Sequence, residues 1–66
     1  VQNHIAKFRK AAGLSQQELA DAISVSRKTV STVETSRFTP SVIIALKIAL
    51  FFNTSVESLF SLDETD

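Results

Sequence analysis

Apolar residues spaced three and four apart, in runs that often follow a helix-capping residue, recur along this sequence. Ser15-Gln16-Gln17-Glu18 has the form of a capping box, in which the serine hydroxyl and the glutamate carboxylate each satisfy a free backbone N–H of the other's residue. Leu19, Ala20 and Ile23 then make the buried stripe of a helix expected over about 16–23. Upstream, Ile5, Phe8 and Ala12 share one face of a first helix expected from about Asn3 to Ala12, and Gly13 suits its left-handed end. Downstream, Ser26 is placed to cap a third helix over about 27–35, in which only Val30 and Val33 are apolar. Thr39-Pro40 reads as a helix start with proline at the first helical position. A fourth helix is expected over about 41–52, packed through Val42, Ala45, Leu46 and Ala49 and closed by Asn53. Ser55 caps a short fifth helix to Phe60, and residues 61–66 are expected to be a short, frayed or weakly extended tail. A single Gly and a single Pro leave too few turn formers for an all-β chain. The expectation is an all-α, compact five-helix bundle forming one domain over residues 1–66.

With 66 residues the core is thin, because folding at this size hides only about 60% of the surface the unfolded chain exposes. Chains this small usually add disulfides, a metal or a second subunit. The absence of Cys excludes disulfides and a thiolate zinc site, and one histidine, His4, gives no basis for a metal centre, so neither metal nor cofactor is expected. His4 is expected to be exposed in the first helical turn. No apolar run approaches the roughly 20 residues of a membrane span, and no signal-peptide pattern is present. A cytoplasmic protein without a membrane partner is expected. Catalysis has no support: there is no Cys, no second His, no Gly-rich phosphate loop and no carboxylate pair at helical spacing.

The formal net charge is zero, yet the charges are segregated. Residues 1–40 hold six basic side chains, Lys7, Arg9, Lys10, Arg27, Lys28 and Arg37, against Glu18, Asp21 and Glu34. From residue 41 onward only Lys47 opposes Glu57, Asp63, Glu64 and Asp66. Such a dipole turns one end toward phosphates and holds the other away. The third helix opens with Arg27-Lys28-Thr29 and offers Ser31 and Thr32 one turn later, on the leading face that a helix presents when its N-terminal end enters a major groove. Arg and Lys read guanine edges, and Thr bonds a base or touches a thymine methyl. Basic residues at a helix N-terminus also oppose the macrodipole, so some other interaction must favour them. The capped start of the second helix adds free N–H groups and two amides, Gln16 and Gln17, that suit a phosphate.

Leu14-Ser15-Gln16-Gln17-Glu18-Leu19-Ala20, then Val25-Ser26-Arg27-Lys28-Thr29-Val30 and Val33-Glu34, resemble the phage repressor and Cro-like (Xre-like) helix-turn-helix family. Pro40-Ser41, Ala45-Leu46-Lys47-Ile48-Ala49 and Ser55-Val56-Glu57-Ser58-Leu59-Phe60 are similar to its fourth and fifth helices, so the likeness spans about residues 3–60. It implies a lambda-repressor-like DNA-binding fold and a regulator that is not an enzyme. It further implies that Gln16 anchors a phosphate and buttresses the start of the recognition helix. Arg27, Lys28 and Thr32 then face bases, while Thr29, Ser31 and Arg37 approach the DNA backbone. Arg9 and Glu34 match an internal salt bridge tying the first helix to the third. Ser24 and Ser36 depart from the family by standing where Gly is common.

Ile43, Leu50 and Phe51 also depart from it, being more apolar than the family pattern. They fall off the packing stripe of the fourth helix, which points to a homodimer interface, with burial beneath the fifth helix or the tail as the alternative. Phe38 is expected to cover the edge of the core rather than to stack on bases. The full expectation is a sequence-specific regulator of double-stranded DNA. It would be a bacterial repressor bound to a pseudo-palindromic operator as a homodimer, with no small-molecule effector site. A rival class is a protein-interaction module such as an antitoxin or antagonist, whose third helix would be expected to carry large apolar anchors.

Overall fold

The computed structural model describes residues 1–66. Five helices are present: α1 (Ile5–Ala11), α2 (Gln16–Ala22), α3 (Arg27–Glu34), α4 (Val42–Phe51) and α5 (Val56–Leu59). A minor two-stranded antiparallel ribbon joins β1 (Gln2–Asn3) to β2 (Phe60–Ser61), with Gln2 opposite Ser61 and Asn3 opposite Phe60. No helix is long and apolar enough to cross a membrane.

Serine starts four of the five helices. Ser15, Ser26, Ser41 and Ser55 each accept the backbone N–H three residues on, from Glu18, Thr29, Ile44 and Ser58. At Ser15 the box closes, since Glu18 accepts the Ser15 N–H at 2.9 Å. The ends are as uniform as the starts. α1 to α4 each finish on a residue with positive φ, namely Gly13, Ser24, Ser36 and Asn53. In each case the next residue donates its N–H to the carbonyl five positions back: Leu14 to Arg9, Val25 to Ala20, Arg37 to Thr32 and Thr54 to Ala49. This is the Schellman closure, and three of its four left-handed positions here are filled without glycine.

The core is one cluster, formed by Ile5 from α1, Leu19, Ala20 and Ile23 from α2 and its cap, Val30 and Val33 from α3, Ile48 and Ala49 from α4, and Leu59 from α5. Phe8 and Phe52 close one side, with ring centroids 5.7 Å apart. No polar or charged residue is buried as a whole, although the side chains of Arg9 and Glu34 are largely covered.

Four sequence expectations are corrected. The first helix begins at Ile5, not Asn3, because Asn3 pairs with Phe60 and its side chain accepts the Ile5 N–H; Ala12 lies past the helix and is exposed. The fifth helix ends at Leu59, not Phe60, because Phe60–Ser61 is a paired strand; of the two readings of the tail the extended one fits Ser61, and beyond it Asp63 accepts the Thr65 N–H and hydroxyl at 3.0 and 2.7 Å. Pro40 precedes the cap, Ser41, instead of occupying the first helical position. The packing stripe of α4 is Ala45, Ile48 and Ala49, whereas Val42 and Leu46 are 74% and 50% exposed. α4 is apolar on nearly every side, so spacing by itself did not select the buried face. At about 100° per residue, Ile43, Leu46, Lys47 and Leu50 form one outward stripe, flanked by Val42 and Phe51.

Candidate nucleic-acid interface

The turn between α2 and α3 is set by local chemistry. Ser24 reverses the chain at φ 60°, the N–H of Val25 bonds back to Ala20, and Val25 packs on the core. Ser26 then caps α3, accepting the Thr29 N–H at 3.1 Å and pairing with the Thr29 hydroxyl at 2.8 Å. Val30 and Val33 bury one side of α3, which leaves Lys28, Ser31 and Thr32 on the opposite side with Arg27 and Thr29 at its flanks. Arg27 and Lys28 are exposed and have no carboxylate partner.

Arg37 follows α3 through the Schellman closure. With Ser26, Lys28, Thr29, Thr32 and Phe38 it lines one open depression. Phe38 is 52% exposed there, not a cover of the core edge. The aromatic ring thus shares the depression with Lys28 and Arg37, in place of the core-edge position expected from the sequence. The Thr32 hydroxyl donates into its own helix, toward the carbonyls of Lys28 (3.0 Å) and Thr29 (3.1 Å), so the side chain has only its acceptor lone pairs and a methyl group left for another partner. The same holds for Thr35, whose hydroxyl bonds the Ser31 carbonyl at 2.9 Å.

The two amides of α2 are both engaged within the chain. Gln16 Nε2 donates to Glu34 Oε1 at 3.1 Å, so it reaches the last turn of α3 and not its first residue. Gln17 Nε2 donates to Asp21 Oδ1 at 2.9 Å along the exposed face. Each keeps one amide hydrogen and its carbonyl oxygen for another partner.

Glu34 is the centre of the scaffold behind this surface. Arg9 Nε stands 2.7 Å from Glu34 Oε2 and Arg9 Nη2 3.3 Å from Oε1, while Arg9 Nη1 donates to the Leu14 carbonyl at 2.9 Å. The Arg9–Glu34 pair thus ties α1, the α1–α2 turn, α2 and α3 together. The spacing of charges could not have supplied Gln16 and Leu14 as members of this network. With Arg9 and Glu34 cancelling each other, Lys7, Lys10, Arg27, Lys28 and Arg37 remain as free cations in the first forty residues. Of the carboxylates there, Glu18 is held in its capping box and Asp21 by Gln17. Ile43, Leu50 and Phe51 are 67%, 81% and 42% exposed, so neither α5 nor the tail of the same chain covers them. No cluster of His, Cys, Asp and Glu has the arrangement to hold a metal ion.

The helix-turn-helix family model matches residues 5–59. An uncharacterized HTH-type transcriptional regulator of Archaeoglobus fulgidus is 36% identical over 66 residues, covering 100% of this chain and 94% of that protein. The regulator YgzD of Bacillus subtilis, also described as uncharacterized and HTH-type, is 34% identical over 97% of each chain. A third such regulator, from Methanocaldococcus jannaschii, is 32% identical over the whole of both chains. Among solved structures, a transcriptional regulator from Listeria innocua superposes with a TM-score of 0.73 at 20% identity, over 97% of this chain and 64% of that one, a likeness of fold. With a family match across all its helical residues and relatives aligned over almost their full length, this chain belongs to the helix-turn-helix family.

Proposed function

We propose that this protein is a sequence-specific regulator of double-stranded DNA that represses transcription by occupying a pseudo-palindromic operator as a homodimer. Its family is one of DNA-binding transcriptional regulators and not of enzymes. The observation that carries the reading is the unpaired cationic start of α3. Arg27 and Lys28 stand exposed at the positive end of the helix dipole with no carboxylate to offset it, an arrangement that a phosphate-lined groove relieves. In this reading Arg27, Lys28 and the methyl group of Thr32 meet base edges. Thr29, Ser31, Arg37, Gln16 and Gln17 meet the sugar-phosphate backbone. The homodimer is supported by the uncovered apolar face of α4, since a small protein rarely leaves several large apolar side chains together in water. A two-fold axis at that face sets two recognition helices roughly 34 Å apart, one turn of duplex, with the acidic ends between subunits and away from DNA. Cytoplasmic action near the nucleoid belongs to the same proposal, in a bacterial or, given the relatives, an archaeal cell. The rival role as a pure protein-interaction module has no anchor on α3, whose outward residues are short or basic.

Selection of bound sites from random duplex DNA tests the reading. A two-fold symmetric motif is expected, and Arg27→Ala and Lys28→Ala should each relax one or two base pairs per half-site at about 1–3 kcal/mol per contact. Binding should also weaken steeply from low to moderate salt. Failure to retain any duplex at low salt refutes the DNA reading; an unchanged motif in both variants refutes the base contacts.

A further inference from the structure

Asn3 lies outside the helix-turn-helix, yet its side chain spans three elements. Oδ1 accepts the N–H of Ile5, the first residue of α1, at 3.2 Å. Nδ2 points at the other end of the fold, 2.9 Å from the Val33 carbonyl, with longer approaches to the Glu34 carbonyl (3.5 Å) and Ser36 Oγ (3.4 Å). Its backbone meanwhile pairs with Phe60 in the ribbon. Those three acceptors are the last turn of α3 and the left-handed residue that turns the chain into the Arg37 loop. The carbonyl end of a helix is its negative pole, so an amide N–H₂ is favourable there and a carboxylate is not. Only Asn combines, at this length, an acceptor for one helix and a donor for the other. A second comparison points the same way. Ser24 and Ser36 carry the same strained φ of 60°, but only the Ser36 turn is braced by a donor from elsewhere in the chain.

We propose that Asn3 is a positioning residue for DNA binding: it holds the end of α3 and the Ser36 turn so that Arg37 stands beside Lys28 and Thr32 at the phosphate-facing depression. The inference rests on the reading of Arg37 as a phosphate contact. Through the ribbon, it also links the C-terminal strand to the recognition helix.

The test is a double-mutant cycle on the full chain, using a random-sequence duplex at low salt and a temperature at which circular dichroism shows every variant folded. Arg37→Ala should weaken binding about tenfold, the scale of one charge-assisted hydrogen bond. Asn3→Ala should weaken it several-fold, and Arg37→Ala added to Asn3→Ala should cost well under tenfold, because the arginine is no longer held in place. Asn3→Asp keeps the acceptor for Ile5 but sets a carboxylate against the α3 carbonyls, and should bind as poorly as Asn3→Ala. Amide exchange at Arg37, whose N–H bonds the Thr32 carbonyl, should quicken in both Asn3 variants. Affinity unchanged in Arg37→Ala overturns the phosphate reading beneath the proposal. Weakened Arg37→Ala with wild-type affinity in Asn3→Ala and Asn3→Asp, or with fully multiplicative losses in the cycle, overturns the role of Asn3 itself.

Discussion

Removing the Glu34 carboxylate is the most informative single perturbation of this fold. The side chains of Arg9 and Glu34 are 12% and 5% exposed, and three N–H groups from Arg9 and Gln16 converge on the one carboxylate. Glu34→Ala leaves a nearly buried guanidinium with only the Leu14 carbonyl, and strands the Gln16 amide. Breaking a buried pair from one side costs about 3–5 kcal/mol. A 66-residue chain has a total stability of roughly 3–10 kcal/mol at the usual 0.05–0.15 kcal/mol per residue. Glu34→Ala should therefore bring the protein close to its unfolding threshold. Arg9→Met combined with Glu34→Leu behaves differently, since no unpaired charge remains and the cavity is refilled. The residual loss comes from the orphaned Leu14 and Gln16 groups, about 1 kcal/mol each. The double variant should thus cost about 1–2 kcal/mol, far less than the sum of its singles. With no Trp or Tyr, unfolding is followed in urea by far-ultraviolet circular dichroism. A cost below about 1 kcal/mol for Glu34→Ala, or an additive double variant, refutes the assignment of this pair as the clamp on helix orientation.

Other expectations follow from single features. Ser24→Gly should stabilise by about 0.5–1 kcal/mol, the left-handed strain relieved less the extra freedom of the unfolded glycine; Ser36→Gly should gain less, because it deletes a hydroxyl facing Asn3. A fall in thermal midpoint for Ser24→Gly counts against the strain argument. The Glu18 carboxyl is held below its ordinary value of 4.5, first by the Ser15 backbone N–H and then by its hydroxyl. Its contribution to stability is complete above that value and is lost as pH falls through the lower folded value. Glu18→Gln should flatten this part of the acid limb, and a Glu18 resonance titrating at or above 4.5 in the folded protein contradicts it. Leu50→Lys with Phe51→Glu should give a monomer with weak half-site binding; sedimentation of the unaltered protein as a monomer at roughly tens of micromolar sinks the homodimer.

What the sequence determined by itself was whatever depends on neighbours within a turn or two. Ser15, Ser26 and Ser55 announced three helix starts because a cap is a bond across three residues. Gly13 and Asn53 announced two helix ends because left-handed backbone has its own residue preferences. The exposed basic start of α3 was legible for the same reason: caps and spacing place Arg27, Lys28 and Thr32 with no knowledge of the rest of the molecule. Arg9 and Glu34 entered through family likeness, and only the folded chain added Gln16 and Leu14 to their network. Tertiary structure alone decided the remainder. α4 is apolar on nearly all sides, so the choice of Ala45, Ile48 and Ala49 as its inner face, and the exposure of Val42 and Leu46, came from where the other helices lay. The ribbon of Gln2–Asn3 with Phe60–Ser61 joins residues nearly sixty positions apart, and two-residue strands carry no periodicity to read. Asn3 looked like the opening of a helix for that reason. Its bonds to α3, some thirty residues away, exist only because the packed core brings the start of α1 and the end of α3 to the same place.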